Sequence, residues 1–202
     1  MKKLLLLVSS LLVSGCAWTE ITAFKDPAFK DATYHKILIM ARLSELRYES
    51  YAEEKFGDCL SNQDVNVICA KQLFPPTRER DPNECVKIIR ENGFDAVLFI
   101  ALEDFWTDIY TTPPSSSTRG SGFISGGMIS YRERTTYDPG TTYILPRAKF
   151  EVRLVDVDSE NVAWMASTFS HGNAFADIKT IVDSLARETV TSLQKEGLIC
   201  RK

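Results

Sequence analysis

The sequence predicts an α/β (α+β) fold in which a mixed β-sheet has helices mainly on one face. Short apolar runs of strand length alternate along the chain with segments whose apolar residues follow helical spacing. The segment 147–157 alternates apolar and charged residues, which is typical of a strand with one wet face. Removing residues 1–15 from the 202 leaves 187, a length that suits one domain with a substantial core. We therefore predict a single α/β domain over residues 36–200.

The first half of this domain contains three predicted strands separated by two predicted helices. Its predicted elements are a buried strand at 37–41, a helix from Ser44 to about Leu60, a strand at 65–73, a helix at 82–92 and a strand from Ala96 to about Tyr110. The second helix carries the clearest local signal. Asp81 is a good N-cap before Pro82, and Gly93 provides a left-handed stop.

The second half begins with a long excursion and then returns to regular elements. The return consists of strands at 147–157 and 162–169, followed by a helix from about Ala174 to Glu196. Gly197 is expected to cap that helix, with Leu198 folding back on its last turn. The predicted order is therefore β-α-β-α-β-(long arm)-β-β-α.

The N-terminus has the layout of a secretory signal. Two lysines precede the ten apolar residues 4–13, which are too few to span a bilayer, and small residues follow them. Val13-Ser14-Gly15-Cys16 resembles the lipobox of bacterial lipoproteins, in which the chain is cut before a cysteine that carries acyl chains such as palmitate. Cys16 is therefore the predicted lipid attachment site. Cleavage after Ala17 by an ordinary signal peptidase is the alternative.

The segment following the predicted cleavage site is expected to serve as a tether. Residues 16–35 mix polar and aromatic residues, and Pro27 interrupts them. Ala17, rather than an aspartate, after the lipidated cysteine fits the sorting of this class to the outer membrane. We therefore expect a lipid-anchored protein on the outer membrane that faces the periplasm.

The excursion at 111–146 is rich in proline, glycine and serine, yet it holds many aromatic and apolar residues. An extended hairpin or flexible arm fits this composition better than a plain linker, and the sequence leaves open whether the arm is ordered alone. Exposed aromatic residues on an adaptable arm are typical interface material. The candidate interaction residues are Trp106, Tyr110, Phe123, Tyr131, Tyr137 and Tyr143. The alternative is that they cover one another as a satellite cluster, whereas Trp164 is expected in the core.

Four cysteines remain besides Cys16, which is an even number in an exported chain and favours disulfides. A zinc site lacks support because no pair has the short spacing and no histidine lies near them in the sequence. Three pairings remain open. The predicted topology favours Cys69–Cys85 at one end of the sheet and Cys59–Cys200 at the other.

Composition and motifs argue against several classes of function. The formal charge of −3 and the absence of a basic stripe in the sequence argue against nucleic acid as a partner. His35 and His171 stand in no catalytic or metal-binding motif, and the glycines at 120–127 do not form a dinucleotide loop. We therefore predict no catalytic residue, metal, cofactor or small-molecule substrate. An envelope hydrolase using Asp104 and Asp108, with Glu103 beside them, is the least favoured alternative.

A family resemblance is carried by four stretches that recur in order after the lipobox. They are Lys36–Met40 before a helix, Glu91–Leu98, Val152–Val157, and Val162-Ala163-Trp164 before an amphipathic helix. This pattern resembles the small outer-membrane lipoproteins with the fold of the TolB amino-terminal domain. That group includes the curli-export channel lipoprotein and the lipoprotein activators of penicillin-binding proteins. The resemblance covers about residues 36–110 and 147–198.

The resemblance implies a periplasmic domain that binds other proteins or assembles with itself, without catalytic residues. The first hypothesis is a non-enzymatic envelope lipoprotein that recruits a protein partner. The second hypothesis is an oligomeric subunit of a secretion or channel system. In the export channel, inserted segments of this fold form membrane strands, whereas the arm here has too few alternating apolar residues for that role.

Overall fold

The computed structural model describes residues 15–78, 80–125 and 128–200, and it describes only the backbone of residues 122–125 and 128–131. The predicted signal segment up to Ser14 lies outside the described residues. The predicted fold class is confirmed, since a six-stranded mixed sheet carries four helices, the two long ones on one face. No helix in the described part of the chain is long and apolar enough to cross a membrane.

Six strands form the main sheet and two more form a separate hairpin. The strands are β1 (Ala17–Lys25), β2 (Lys36–Arg42), β3 (Asn66–Cys69), β4 (Ala96–Thr111), β5 (Ser115–Ser125), β6 (Met128–Asp138), β7 (Thr142–Asp156) and β8 (Val162–Gly172). The order in the main sheet is β1-β8-β7-β4-β2-β3, while β5 pairs with β6 alone. Strand β2 is parallel to both β3 and β4, and the remaining neighbours are antiparallel.

The helices are α1 (Leu46–Ser61), α2 (Ala70–Leu73), α3 (Pro82–Glu91) and α4 (Ile178–Lys195), and a 3₁₀ turn covers Pro27–Phe29. Helices α1 and α4 pack on one face of the sheet and form the main core with residues such as Phe56, Phe150 and Trp164. The short helix α2 and helix α3 cover a corner of the other face, where a smaller cluster gathers around Leu38 and Val97.

Several local predictions are confirmed by the structure. Asp81 caps α3 by accepting a hydrogen bond from the Asn83 amide, and Gly93 has a φ of 66°. Gly197 has a φ of 71° after α4, and the Leu198 amide donates to the Leu193 carbonyl. Trp164 is fully buried, as expected of a core residue.

Two helix and strand boundaries in the first half were wrong. The strand predicted at 65–73 ends at Cys69, because α2 begins at Ala70, where the Lys71 amide donates to the carboxylate of Glu53. Ser44 does not cap α1. The N-cap position belongs to Glu45, and no side chain closes that helix end.

The segment predicted as a tether instead supplies an edge strand. Residues 17–25 pair with β8 along their whole length, from Ala17 opposite Gly172 to Lys25 opposite Trp164. The pairing is favoured because the segment alternates, with Ala17 and Thr19 facing the core and Trp18 facing out. Only about ten residues, beginning with the 3₁₀ turn, then lead from β1 to β2.

The excursion at 111–146 consists of two antiparallel pairs in succession. Strands β4 and β7 stay paired out to Thr111 opposite Thr142, and β5 and β6 then pair from Ser115 opposite Asp138 towards the tip. The short linkers between the two pairs contain three prolines, which cannot donate to a ladder. We call β5, β6 and their linkers, residues 112–141, the arm.

Candidate functional site

The sheet face opposite α1 and α4 is uncovered over β1, β8, β7 and the middle of β4. Alternation places Trp18, His171 and Arg147 on this face in three neighbouring strands, since Trp18 lies opposite His171 and His171 opposite Arg147. Trp106 completes the row, because it lies opposite Arg147 in β4. We call this surface the open face.

Aromatic side chains on the open face stack into a continuous row. The Trp18 and His171 rings lie parallel, with centroids 4.6 Å apart, and Phe169 meets His171 edge-on at 4.1 Å. Trp106 stacks on Phe169 at 5.4 Å, and the Lys149 ammonium lies 5.7 Å from the Trp106 ring centroid. We call Trp18, His171, Phe169 and Trp106 the aromatic row, which extends over four neighbouring strands from β1 to β4 and ends in a cation–π contact.

Charged residues lie close to the aromatic row on the open face. The Arg147 guanidinium lies 2.9 Å from the Asp108 carboxylate, and Glu20 lies 3.7 Å from Nε2 of His171. Burial, together with the positive charge of Arg147, lowers the pKa of His171 below its usual 6.5. His171 is therefore neutral at pH 7, so the aromatic row adds no positive charge to the face.

The open face also carries apolar side chains that remain exposed to solvent. These are Phe24 in β1, Phe99 in β4 and Met165 in β8, together with Val162 at the start of β8. Phe24 lies opposite Met165, Met165 opposite Arg153, and Arg153 opposite Phe99, so they form a second line across the sheet. A sheet face of this kind is normally covered by another layer.

A groove of about 650 Å³ lies beside this second line, between α2 and the sheet. Its walls are mainly apolar and include Met40, Phe74, Phe99, Val155 and Val162. At its base Glu53 is buried, and its two carboxylate oxygens accept from the Ala41 and Lys71 amides at 3.5 and 3.3 Å. Burial raises the pKa of Glu53 above its usual 4.5, against those two hydrogen bonds.

Glu53 is better explained as a structural residue than as a catalytic acid. Its carboxylate joins the end of β2 to the first turn of α2, and both oxygens are occupied by backbone amides. No three His, Cys, Asp or Glu side chains come together as a metal site within residues 15–78, 80–125 and 128–200.

The predicted interaction residues are divided between the open face and the β4–β7 hairpin with its arm. Trp106 belongs to the aromatic row, whereas Tyr110 and Tyr143 lie opposite each other near the end of the β4–β7 pair. Tyr137 is exposed on β6. The backbones of Phe123 and Tyr131 lie in β5 and β6, and their side chains are outside the described residues.

The predicted carboxylate cluster has ordinary partners in the sheet. Asp108 is in the ion pair with Arg147, and Asp104 lies opposite Lys149 across the β4–β7 ladder. Glu103 is exposed at the rim of the groove, where the β4–β7 register shifts between Leu102 and Asp104. The ion pair with Asp108 holds Arg147 on the open face, where Arg147 lies opposite Trp106 and His171.

All five cysteines are free thiols in the structure, and the predicted disulfides Cys69–Cys85 and Cys59–Cys200 stay predictions. Burial raises the pKa of the Cys59 and Cys69 thiols, which makes both less reactive at neutral pH. Cys16 is exposed and directly precedes β1, and its carbonyl accepts from the Asn173 amide at 2.9 Å.

Sequence reasoning missed most of the open face. Trp18 and Phe24 fall in the segment predicted as a tether, and His171 stands in no motif that would mark it as functional. The signal for this face was the alternation in 17–25, where Ala17, Thr19 and Ile21 take one side and Trp18 and Glu20 the other.

No protein-family profile matches the chain. No curated protein matches it either. Among solved structures, the chain is similar to PelC from Paraburkholderia phytofirmans, solved as a dodecamer, with a TM-score of 0.51 and 16% identity over 91% of this chain and 99% of that one. A variant of the same PelC dodecamer gives 0.50 and 15% over 89% and 99%.

A third solved structure is the lipoprotein GNA1162 from Neisseria meningitidis, with a TM-score of 0.45 and 13% identity over 80% of this chain and 99% of that one. At these identities the likeness to PelC shows a shared fold and no more. That fold extends over nearly the whole of both chains.

Proposed function

We propose that this chain is a non-enzymatic lipoprotein, held by Cys16 to the outer membrane and facing the periplasm, that assembles with copies of itself. The observation that carries the proposal is the open face. One side of the sheet is sealed by α1 and α4, while the other presents the aromatic row and the exposed Phe24 and Met165. Such a surface is the material of a protein interface.

The shared fold supports self-assembly as the first partner to test. PelC was solved as a dodecamer, and its fold aligns with 91% of this chain and 99% of its own. The lipobox-like Val13–Cys16 supports the anchor, and the resemblance to outer-membrane lipoproteins with a TolB-like domain supports the location. We assign no chemistry to Asp104 and Asp108, because β7 supplies a partner for each of them.

Photocrosslinking in intact cells tests this proposal. A photoreactive residue at Met165 on the open face should capture a second copy of the chain. The matched position is Arg187, which is exposed on α4 on the opposite side of the sheet and should capture none. Capture of one different envelope protein from Met165 would replace self-assembly by the recruitment of a partner. Equal capture of copies from both positions would contradict an interface at the open face.

Lipid attachment is tested separately by labelling cells with radioactive palmitate. The wild-type chain should incorporate label and Cys16→Ser should not. Cys200→Ser, which removes another exposed thiol, should label normally. Labelling of Cys16→Ser would exclude Cys16 as the attachment site.

A further inference from the structure

At the end of the sheet next to Cys16, a lipid on Cys16 would be joined to the fold without a flexible linker. Strand β1 begins at Ala17, the residue after Cys16, and Ala17 is already paired with Gly172. The Cys16 carbonyl is itself tied to the Asn173 amide. An extended residue spans at most about 3.6 Å, so a lipid on Cys16 brings this end of the sheet directly against the bilayer. We call it the anchor end.

Of the six strands of the main sheet, only β4 and β7 continue past the anchor end, and from there they lead into the arm. Gly172 in β8 is next to His171, which pairs with Arg147, so the end of β8 is level with Pro146 and with Thr107 opposite it. Beyond Thr107 the two strands remain paired through Ile109 opposite Ile144 and Tyr110 opposite Tyr143. At about 3.3 Å per residue, these two pairs lie roughly 7 to 10 Å beyond the end of β8.

The side chains of this projection are apolar and exposed. Ile109 is 72% exposed, Ile144 58% and Tyr110 59%. Phe175, in the loop after β8, is 62% exposed. Its amide donates to the Asn173 side chain, and the Asn173 amide donates to the Cys16 carbonyl, so this loop lies beside the anchor. Four large apolar side chains exposed around one attachment point form a patch that water does not favour.

The arm, which continues from the β4–β7 pair, carries arginines that add positive charge. The β5–β6 register puts Arg119 directly opposite Arg134, and Arg132 lies two residues along on the same face. All three are exposed. Like charges directly opposite each other destabilise a ladder, and anionic headgroups relieve the repulsion.

We propose that the anchor end is a membrane-binding surface for an anionic phospholipid bilayer. Ile109, Ile144 and Phe175, together with Tyr110 and Tyr143, enter the boundary between headgroups and acyl chains. The projection of roughly 7 to 10 Å matches the burial depth of interfacial segments, about 5–10 Å. The arginines of the arm bind the headgroups. This inference takes its direction from the lipid on Cys16 and so rests on the proposed function.

A binding experiment without the lipid tests the surface itself. The protein is the mature chain, residues 16–202, with Cys16→Ser, which retains every element from β1 to α4. It should co-sediment with vesicles of phosphatidylethanolamine and phosphatidylglycerol more than with vesicles of phosphatidylcholine. Ile109→Ser with Phe175→Ser should weaken binding to the anionic vesicles by about tenfold.

Val86→Ser is the control, since Val86 is a partly exposed apolar residue of α3 that lies beside Glu160, at the opposite end of the sheet and outside the open face. It should leave binding unchanged. Arg119→Ser with Arg134→Ser should remove the preference for anionic vesicles. Circular dichroism of each variant shows whether it is folded, so lost binding is not confused with unfolding.

Absence of vesicle binding, or an equal loss in Val86→Ser and in the Ile109/Phe175 double variant, would overturn the inference. Palmitate labelling distinguishes this failure from failure of the proposed function. If Cys16 labels and the vesicles are not bound, the surface is wrong and the anchor stands. If the vesicles are bound and Cys16 does not label, the surface stands and the anchor is wrong.

Discussion

Glu53 is the residue on which the corner between β2, α1 and α2 depends. Its buried carboxylate accepts from the Ala41 and Lys71 amides and so links the end of β2 to the start of α2. Buried donors left unsatisfied cost about 1–3 kcal/mol. The residue therefore explains why the chain turns into α2 after four residues of β3.

We predict that Glu53→Ala lowers the free energy of unfolding by about 1–3 kcal/mol at pH 5. Because burial raises the pKa of Glu53 above 4.5, its stabilising form is protonated, and its contribution falls as pH rises through the folded-state pKa. The deficit of the variant should therefore shrink between pH 5 and pH 8, measured by urea unfolding.

The neighbouring Glu54, which is exposed on α1, provides the control. Glu54→Ala should change the free energy of unfolding by less than about 0.5 kcal/mol. A deficit for Glu53→Ala that grows with pH would show that the carboxylate stabilises the fold in its ionised form instead.

Helix α4 depends on its first turn, where Asp177 and Thr180 form a capping box. The Asp177 carboxylate accepts from the Thr180 amide and hydroxyl, each at 2.8 Å. Burial would raise the pKa of Asp177, but the hydrogen bonds from Thr180 and the Lys179 charge outweigh it and hold this pKa below its usual 3.8.

We predict that Asp177→Ala costs about 1 kcal/mol of stability at pH 7. The contribution of a carboxylate with a lowered pKa is complete above its unfolded-state pKa and is lost as pH falls through the folded-state value. The difference from wild type should therefore narrow below pH 3.8. Asp177→Ser, which keeps a capping oxygen, should retain most of the stability; a loss as large as that of alanine would contradict the capping role.

The arm is an element whose pairing is internal, because β5 and β6 form a sheet of their own. Replacing residues 113–139 by Asn-Gly should leave the β4–β7 pair and the main core intact. We predict a melting temperature within about 4 °C of wild type, equivalent to less than 1 kcal/mol. The same deletion should reduce binding to anionic vesicles, since it removes Arg119, Arg132 and Arg134.

The control for the deletion is a full-length variant with Arg119, Arg132 and Arg134 changed to serine. It should lose as much binding to anionic vesicles as the deletion does. A large fall in melting temperature on deletion would mean that the arm packs on the domain and would contradict its independence.

At the scale of elements, long periodic segments and strong punctuation were predictable, and short elements were not. Asp81, Pro82 and Gly93 marked α3 because caps act locally. Strand β1 lacked such a signal, since it is a partly exposed edge strand whose pairing with β8 is decided more than a hundred residues away. Helix α2 was missed because four residues carry no periodicity and its start depends on Glu53.

At the scale of the molecule, the three faces of the domain have different roles. Helices α1 and α4 seal one face of the sheet, whereas we propose that the open face contacts protein and that the anchor end binds the membrane. The lipid on Cys16 would hold the sheet edge-on to the bilayer, with the open face turned sideways towards neighbouring molecules. This geometry suits assembly within the plane of a membrane.

The candidate site was only partly predictable because it is a property of the sheet. Trp106, Tyr110 and Tyr143 were selected as exposed aromatics near the excursion, and the fold places all three on β4 and β7. The residues that form the aromatic row with Trp106, namely Trp18, Phe169 and His171, come from strands at the two ends of the sequence. Only the register of β1, β8 and β7 brings them together, and the sequence alone does not supply it.

The mass of the lipidated full chain, extracted in mild detergent and measured by native mass spectrometry, tests the central claim most directly. If the chain assembles through the open face, we expect a multimer of defined size that dissociates to monomers in the Phe24→Ser and Met165→Ser double variant. The Tyr137→Ser variant, altered at an exposed side chain of the arm, should keep the wild-type mass. A wild-type chain that is monomeric at every concentration would contradict self-assembly through the open face.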